Sequence, residues 1–184
     1  GRRMGLSPGA LLVIAQHHEH ADATGYPKGV VLDRMAVGAR IVAMVNHYDN
    51  LCNAPVPAQS LTPHEALSRM FAQLRSHFDA TLLNAFIRLM GIYPPGSVVQ
   101  LSDDRYAMVM TVNSARPLKP RVLVFDPAVP AEQALHLNLE ASPDLGIRRS
   151  LKSEQLPSKA VDYLAPRQRV AYFFGADSVP AERV

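Results

Sequence analysis

The run His17-His18-Glu19-His20-Ala21-Asp22-Ala23-Thr24-Gly25-Tyr26-Pro27-Lys28-Gly29 decides how this chain is read, because imidazoles, carboxylates and a rigid turn crowd into one short segment. Adjacent histidines on a helix project about 100° apart, so His17 and His18 suit one metal ion each in a two-metal centre better than one shared ion. Glycine reaches backbone angles closed to other residues and proline fixes φ, so Gly25-Tyr26-Pro27 predicts a rigid chain reversal beside the histidines. Each part alone also has a plainer reading, as core histidines satisfied by carbonyls and as an ordinary surface turn.

Working outward, Ser7 with Pro8 predicts a helix N-terminus, and the helix runs through Leu11, Ile14 and Ala15. His18 continues that apolar face, so both histidines are expected to emerge from its buried side at the C-terminal end. A second helix fits Arg34 to about Asn53, with Val37, Ile41, Met44, Val45, Tyr48 and Cys52 at steps of three and four. Asn46, Asp49 and Asn53 form a polar line beside that stripe. Thr62-Pro63-His64-Glu65 is a capping box opening a third helix, and Asp79 opens a fourth that runs to Gly91. His64 and His77 have no carboxylate at ligand spacing along the sequence and read as surface histidines.

Ile92-Tyr93-Pro94-Pro95-Gly96 breaks the helical period. Short apolar runs follow at Val98 to Leu101, Tyr106 to Val112, Arg121 to Phe125, Leu135 to Leu139 and Arg169 to Phe174. The expected fold is α+β: an all-helical part over 1–91, a small β-rich sheet or barrel over 92–175, and a tail over 176–184. Arg116, Lys119, Arg121, Arg148, Arg149 and Lys152 are broken up by prolines and lack interleaved aromatics, so they read as solvated loops rather than a basic binding face.

Composition permits a soluble globular chain: 184 residues, 48% of them hydrophobic, with a formal charge of +3. So mild a charge requires neither a nucleic-acid polymer nor a membrane surface as partner. The single cysteine, Cys52, excludes an internal disulfide and fits a reducing compartment, and no apolar run reaches the length of a transmembrane helix. A cytoplasmic location is expected. The start at Gly1-Arg2-Arg3, without an initiator methionine or a signal-peptide pattern, suggests a piece of something longer.

The quoted run resembles the second motif of the HD-GYP phosphodiesterases, HHExxDGxGYPxG, with Ala23 the departure at a fixed position. The segment from Gly38 to Leu51 resembles that family's GARIxxxxDxYDAL helix, with Asn46 where the pattern has its first aspartate. The resemblance covers roughly residues 7 to 90. It implies two or three divalent ions, commonly iron or manganese, and metal-assisted attack of water on cyclic di-GMP to give pGpG or GMP. His17, His18 and Asn46 would be metal ligands, and Glu19 would orient a ligand. Asp22 and Gly25-Tyr26-Pro27 would shape the site, while Lys28 and Arg40 are candidate phosphate contacts. An amide at Asn46 can coordinate but brings no charge to offset the cation, so weaker metal binding is expected. The family's basic loop is here Asn53-Ala54-Pro55-Val56-Pro57-Ala58-Gln59, without positive charge. No His-Asp dipeptide occurs, so the other half of the site is expected upstream and this part alone is expected to be inactive. Two readings follow: a cyclic di-GMP phosphodiesterase tuned by these changes, or a degenerate member acting as a signalling or protein-interaction module, with a homodimer or signalling protein as partner.

Overall fold

The computed structural model describes residues 5–164. The expected strand over 169–174 and the tail over 176–184 lie outside them. The chain is α+β, with helices α1 (Pro8–Gln16), α2 (Val37–Cys52), α3 (Pro63–Ala72) and α4 (Ala80–Met90), then strands β1 (Val98–Leu101), β2 (Tyr106–Thr111), β3 (Arg121–Val124), β4 (Leu135–Asn138) and β5 (Ile147–Leu151), and last helix α5 (Ser158–Leu164).

The helix starts fall where capping chemistry puts them. Ser7 accepts the amide of Ala10, Thr62 and Glu65 close a reciprocal capping box before α3, and Asp79 accepts the amides of Thr81 and Leu82. α2 starts later than expected, at Val37, because a 3-10 turn over Leu32–Arg34 precedes it. Met44, Tyr48 and Cys52 of α2 pack with Ala66, Leu67 and Met70 of α3 and with Leu83, Phe86 and Met90 of α4 in one helical core.

The apolar stripes of α1 and α2 are buried only in part. Leu12 and Ile14 on α1 and Val37 and Ile41 on α2 are exposed, and the buried residue of α1 is the polar Gln16. Periodicity places apolar residues on one face but cannot say whether another element covers it. Gln16 instead joins α1 to the next segment, with its Oε1 accepting the amide of Ala36 at 3.0 Å.

The strands form an antiparallel sheet in the order β4-β3-β2-β1-β5, open rather than closed into a barrel among the described residues. Its two faces carry separate apolar clusters, one around Val99, Leu101, Val109 and Val122, the other joining Val98 and Leu151 to Leu156, Ala160 and Leu164. Arg148 and Arg149, expected in a loop, lie in β5, where the polar, basic composition hid a strand that pairs with β1. Lys119 is not solvated either: its Nζ donates to the carbonyls of Ser142, Pro143 and Leu145. Likewise His64 is no free surface group, since its Nδ1 donates to Ile92 O at 3.0 Å and its ring stacks on Tyr93. A division after Gly91 is proposed, supported by the separate clusters on its two sides.

Candidate metal centre

The helical part brings three segments together: the turn that ends α1, the loop that follows it, and the 3-10 turn Arg75–His77 before α4. α1 stops at Gln16, and His17 is already its C-cap residue. Its Nδ1 donates to Ile14 O at 2.8 Å, which leaves Nε2 with the free lone pair. The rings of His17 and His18 lie 4.0 Å apart, and His18 stacks on Tyr26 at 4.6 Å. The pair is thus side by side in a turn rather than splayed on a continuing helix. Burial, and then the neighbouring His17, hold the pKa of His18 below the ordinary histidine value.

Glu19 is 1% exposed, and it holds the loop rather than a histidine. Its Oε1 accepts the amide of Lys28 at 2.8 Å and its Oε2 the amide of Val30 at 2.9 Å. Tyr26 N–H donates to His18 O, closing the Gly25-Tyr26-Pro27 reversal from the other side. A Cβ on Gly25 would stand 2.3 Å from His20 N and 2.5 Å from the Glu19 backbone, so only glycine fits there. Ala23, where the family motif has glycine, sits at φ 63.

Behind this loop is a second constellation. Thr24 Oγ1 lies 2.6 Å from Asp22 Oδ1 and 3.0 Å from His20 Nδ1. An ionised carboxylate only accepts, so the threonine hydroxyl donates to Asp22 and must accept from a protonated Nδ1 of His20. That fixes the neutral His20 tautomer with its lone pair on Nε2. Burial tends to raise the Asp22 pKa, but hydrogen bonds from Thr24 and Ser76 outweigh it and bring it down to about 2. Burial, followed by the His77 charge, pushes the pKa of His20 down.

His77 arrives from far along the chain, and its position is fixed by the amide of Ala21, which donates to His77 O at 2.8 Å. Its ring stacks on that of His20 at 4.2 Å and 11°, and its Nε2 stands 3.9 Å from Asp22 Oδ2. One ligand atom each from His20, Asp22 and His77 all lie within 4.8 Å of one another, a group able to hold a metal ion. His47 of α2 packs edge-on against Phe78 at 5.3 Å, and burial, then the His20 and His77 charges, lower its pKa.

The other sequence-stated residues are more dispersed. Asn46 is half-buried on α2, and Lys28 is exposed. Arg40 turns inward, with its Nε donating to Met35 O and its Nη1 to Asp79 Oδ2 at 3.1 Å, so it ties α2 to the cap of α4. Asp49 accepts a hydrogen bond from Asn53 Nδ2 at 2.8 Å. His20, His47 and His77 are what sequence reasoning passed over. His20 stands at an unconstrained position of the motif, and nothing local to His77 marks its contact with Asp22.

These helices and this histidine-rich turn define an HD domain, whose family model matches residues 7–82. The chain is 35% identical over 113 residues to a cyclic di-GMP phosphodiesterase of Pseudomonas aeruginosa, covering 61% of this chain and 27% of that protein. It is 36% identical over 80 residues to a cyclic di-GMP phosphodiesterase response regulator of Xanthomonas campestris, covering 44% of this chain and 21% of that protein. A cyclic di-GMP phosphodiesterase of Borreliella burgdorferi is 22% identical over 117 residues, covering 64% of this chain and 31% of that protein. These matches support the resemblance to the HD-GYP family. It spans less than a third of the length of these relatives. Among the described residues, no helix is long and apolar enough to cross a membrane.

Proposed function

We propose that this chain is part of a metal-dependent phosphodiesterase that hydrolyses cyclic di-GMP. The observation that carries the reading is the adjacent His17–His18 pair, with rings 4.0 Å apart beside a loop locked by Glu19, in a chain similar to proteins named for that activity. The residues fit a metal: the Nδ1 bond from His17 to Ile14 O leaves Nε2 available, and His18 is held toward its neutral form. His17, His18 and Asn46 would hold divalent ions, iron or manganese by family likeness. Such an ion supplies Lewis acidity toward a phosphodiester and lowers the pKa of water.

The protein's own part is to hold its groups in place. Glu19 fixes the loop from Gly25 to Val30, so that Tyr26 lies over His18 and Lys28 stands exposed where it can meet a phosphate. Arg40 is engaged by Asp79 and serves the scaffold. A second reading, a non-catalytic signalling module, draws support from Asn46 in place of a carboxylate and from the uncharged Asn53–Gln59 loop.

The test is cyclic di-GMP hydrolysis by the protein that carries this chain, supplied with Mn²⁺ or Fe²⁺, beside Asn46→Asp and the His17→Ala, His18→Ala double variant. Turnover that the double variant loses supports the enzyme, and a gain with Asn46→Asp supports a ligand role there. Silence in all three, in either metal, supports the signalling module.

A further inference from the structure

We propose that His20, Asp22 and His77 form a transition-metal site of their own, separate from the His17–His18 pair. Their ligand atoms lie within 4.8 Å of one another, while donors around a tetrahedral ion with bonds of about 2.1 Å stand about 3.4 Å apart. Closing the set on an ion takes shifts of about an ångström together with a turn of the stacked His20 and His77 rings, so that both in-plane lone pairs meet it.

Two features distinguish this trio from a chance meeting of side chains. The first is the orientation of His20, whose Nδ1–H is held by Thr24 Oγ1 while the same hydroxyl donates to Asp22 Oδ1. One threonine thus fixes two candidate ligands at once, leaving His20 Nε2 outside these bonds and Asp22 Oδ2 3.9 Å from His77 Nε2. Outer hydrogen bonds of this kind fix tautomer and ring direction in protein metal sites. The second is the unsatisfied state of His77. Its Nδ1 is buried with no hydrogen-bond partner, and its Nε2 is 3.9 Å from Asp22 Oδ2, too far for a hydrogen bond. Nε2 makes no hydrogen bond to Asp22, so with the proton on the orphaned Nδ1 its lone pair is open to a cation.

Two imidazoles and one carboxylate suit zinc and its first-row neighbours, whereas magnesium and calcium prefer all-oxygen ligands. Three protein ligands leave a fourth position to solvent or to a bound group. The contact joins the loop after α1 to the turn before α4, so an ion here would also cross-link the two ends of the helical part.

The experiment is equilibrium dialysis of Zn²⁺ against the whole chain in the His17→Ala, His18→Ala background, which removes the other histidine pair. One Zn²⁺ per chain is expected, unaffected by excess Mg²⁺. Adding His20→Gln or His77→Gln should remove it, and Thr24→Val should weaken it by about 10–100-fold. Helical circular dichroism checks that each variant is folded, and Asp22→Asn substitutes for any that is not. No bound Zn²⁺ in the background, or undiminished binding in the folded trio variants, overturns the site. Neither result bears on cyclic di-GMP hydrolysis, which is read separately.

Discussion

The buried carboxylate of Glu19 holds the backbone amide of Lys28 at 2.8 Å, and through it the whole loop after α1. Since its second oxygen holds Val30, Glu19→Ala leaves two loop amides without an acceptor. Each unsatisfied buried group costs about 1–3 kcal/mol, so a loss of about 2–6 kcal/mol is expected in urea denaturation. Glu19→Gln keeps one acceptor oxygen and should lose roughly half as much. A change below about 0.5 kcal/mol for Glu19→Ala would show that the loop does not depend on this clamp.

Two small residues of the same loop should respond with opposite signs. Ala23 sits at φ 63, where a side chain is strained, so Ala23→Gly should stabilise by about 0.5–1 kcal/mol. Gly25→Ala drives a Cβ to 2.3 Å from backbone and should displace the reversal, lowering the melting temperature. Thermal denaturation of the two variants, run together, checks both signs.

Asp79 both caps α4 and pairs with Arg40. Removing the cap as Asp79→Ala should cost about 1–2 kcal/mol, read as a lower denaturation midpoint. Arg40→Lys, which cannot reproduce the guanidinium contacts to Met35 O and Asp79 together, should lose a smaller amount.

Acid should act through the same carboxylates. Burial opposes ionisation of Asp79, but bonds from Leu82, Arg40 and Thr81 hold its pKa down, and Asp22 is brought down to about 2. A carboxyl with a depressed folded pKa binds its proton more readily when unfolded. Its stabilising contribution is therefore complete above the ordinary value of 3.8 and is lost as pH falls toward 2. Stability measured from pH 5 downward should drop in that window, and Asp22→Asn should flatten the fall.

Cys52 is 5% exposed, and burial pushes its thiol up to about 12. The thiolate is the nucleophile, so iodoacetamide at pH 8 should leave the folded protein unlabelled and modify it fully in denaturant. Rapid labelling of folded protein would contradict this burial.

The helix starts were legible because capping is local: Ser7, Thr62 with Glu65, and Asp79 each act within one turn. The His17–Gly29 run stood out for a similar reason, its parts being adjacent in the chain. β5 was not, because Arg148 and Arg149 break the apolar alternation that marks a strand. His77 was not legible either, because its relation to Asp22 and His20 exists only after α2 and α3 have folded between them. The burial of α1 and α2 was overestimated since Ile14 and Ile41 keep helical spacing while facing outward.

Where the helices meet the sheet, the contacts include polar ones, Thr62 Oγ1 with Ser150 Oγ at 3.0 Å and Lys152 Nζ with Ala58 O at 3.3 Å, beside the His64 ring stacked on Tyr93. The apolar clusters on the two sides are separate. Water competes for polar contacts far more effectively than for a packed interior, so this seam is expected to give way first under denaturant. The expected outcome is that the histidine-bearing helices and the sheet part before either one melts, read as two transitions rather than one in denaturant.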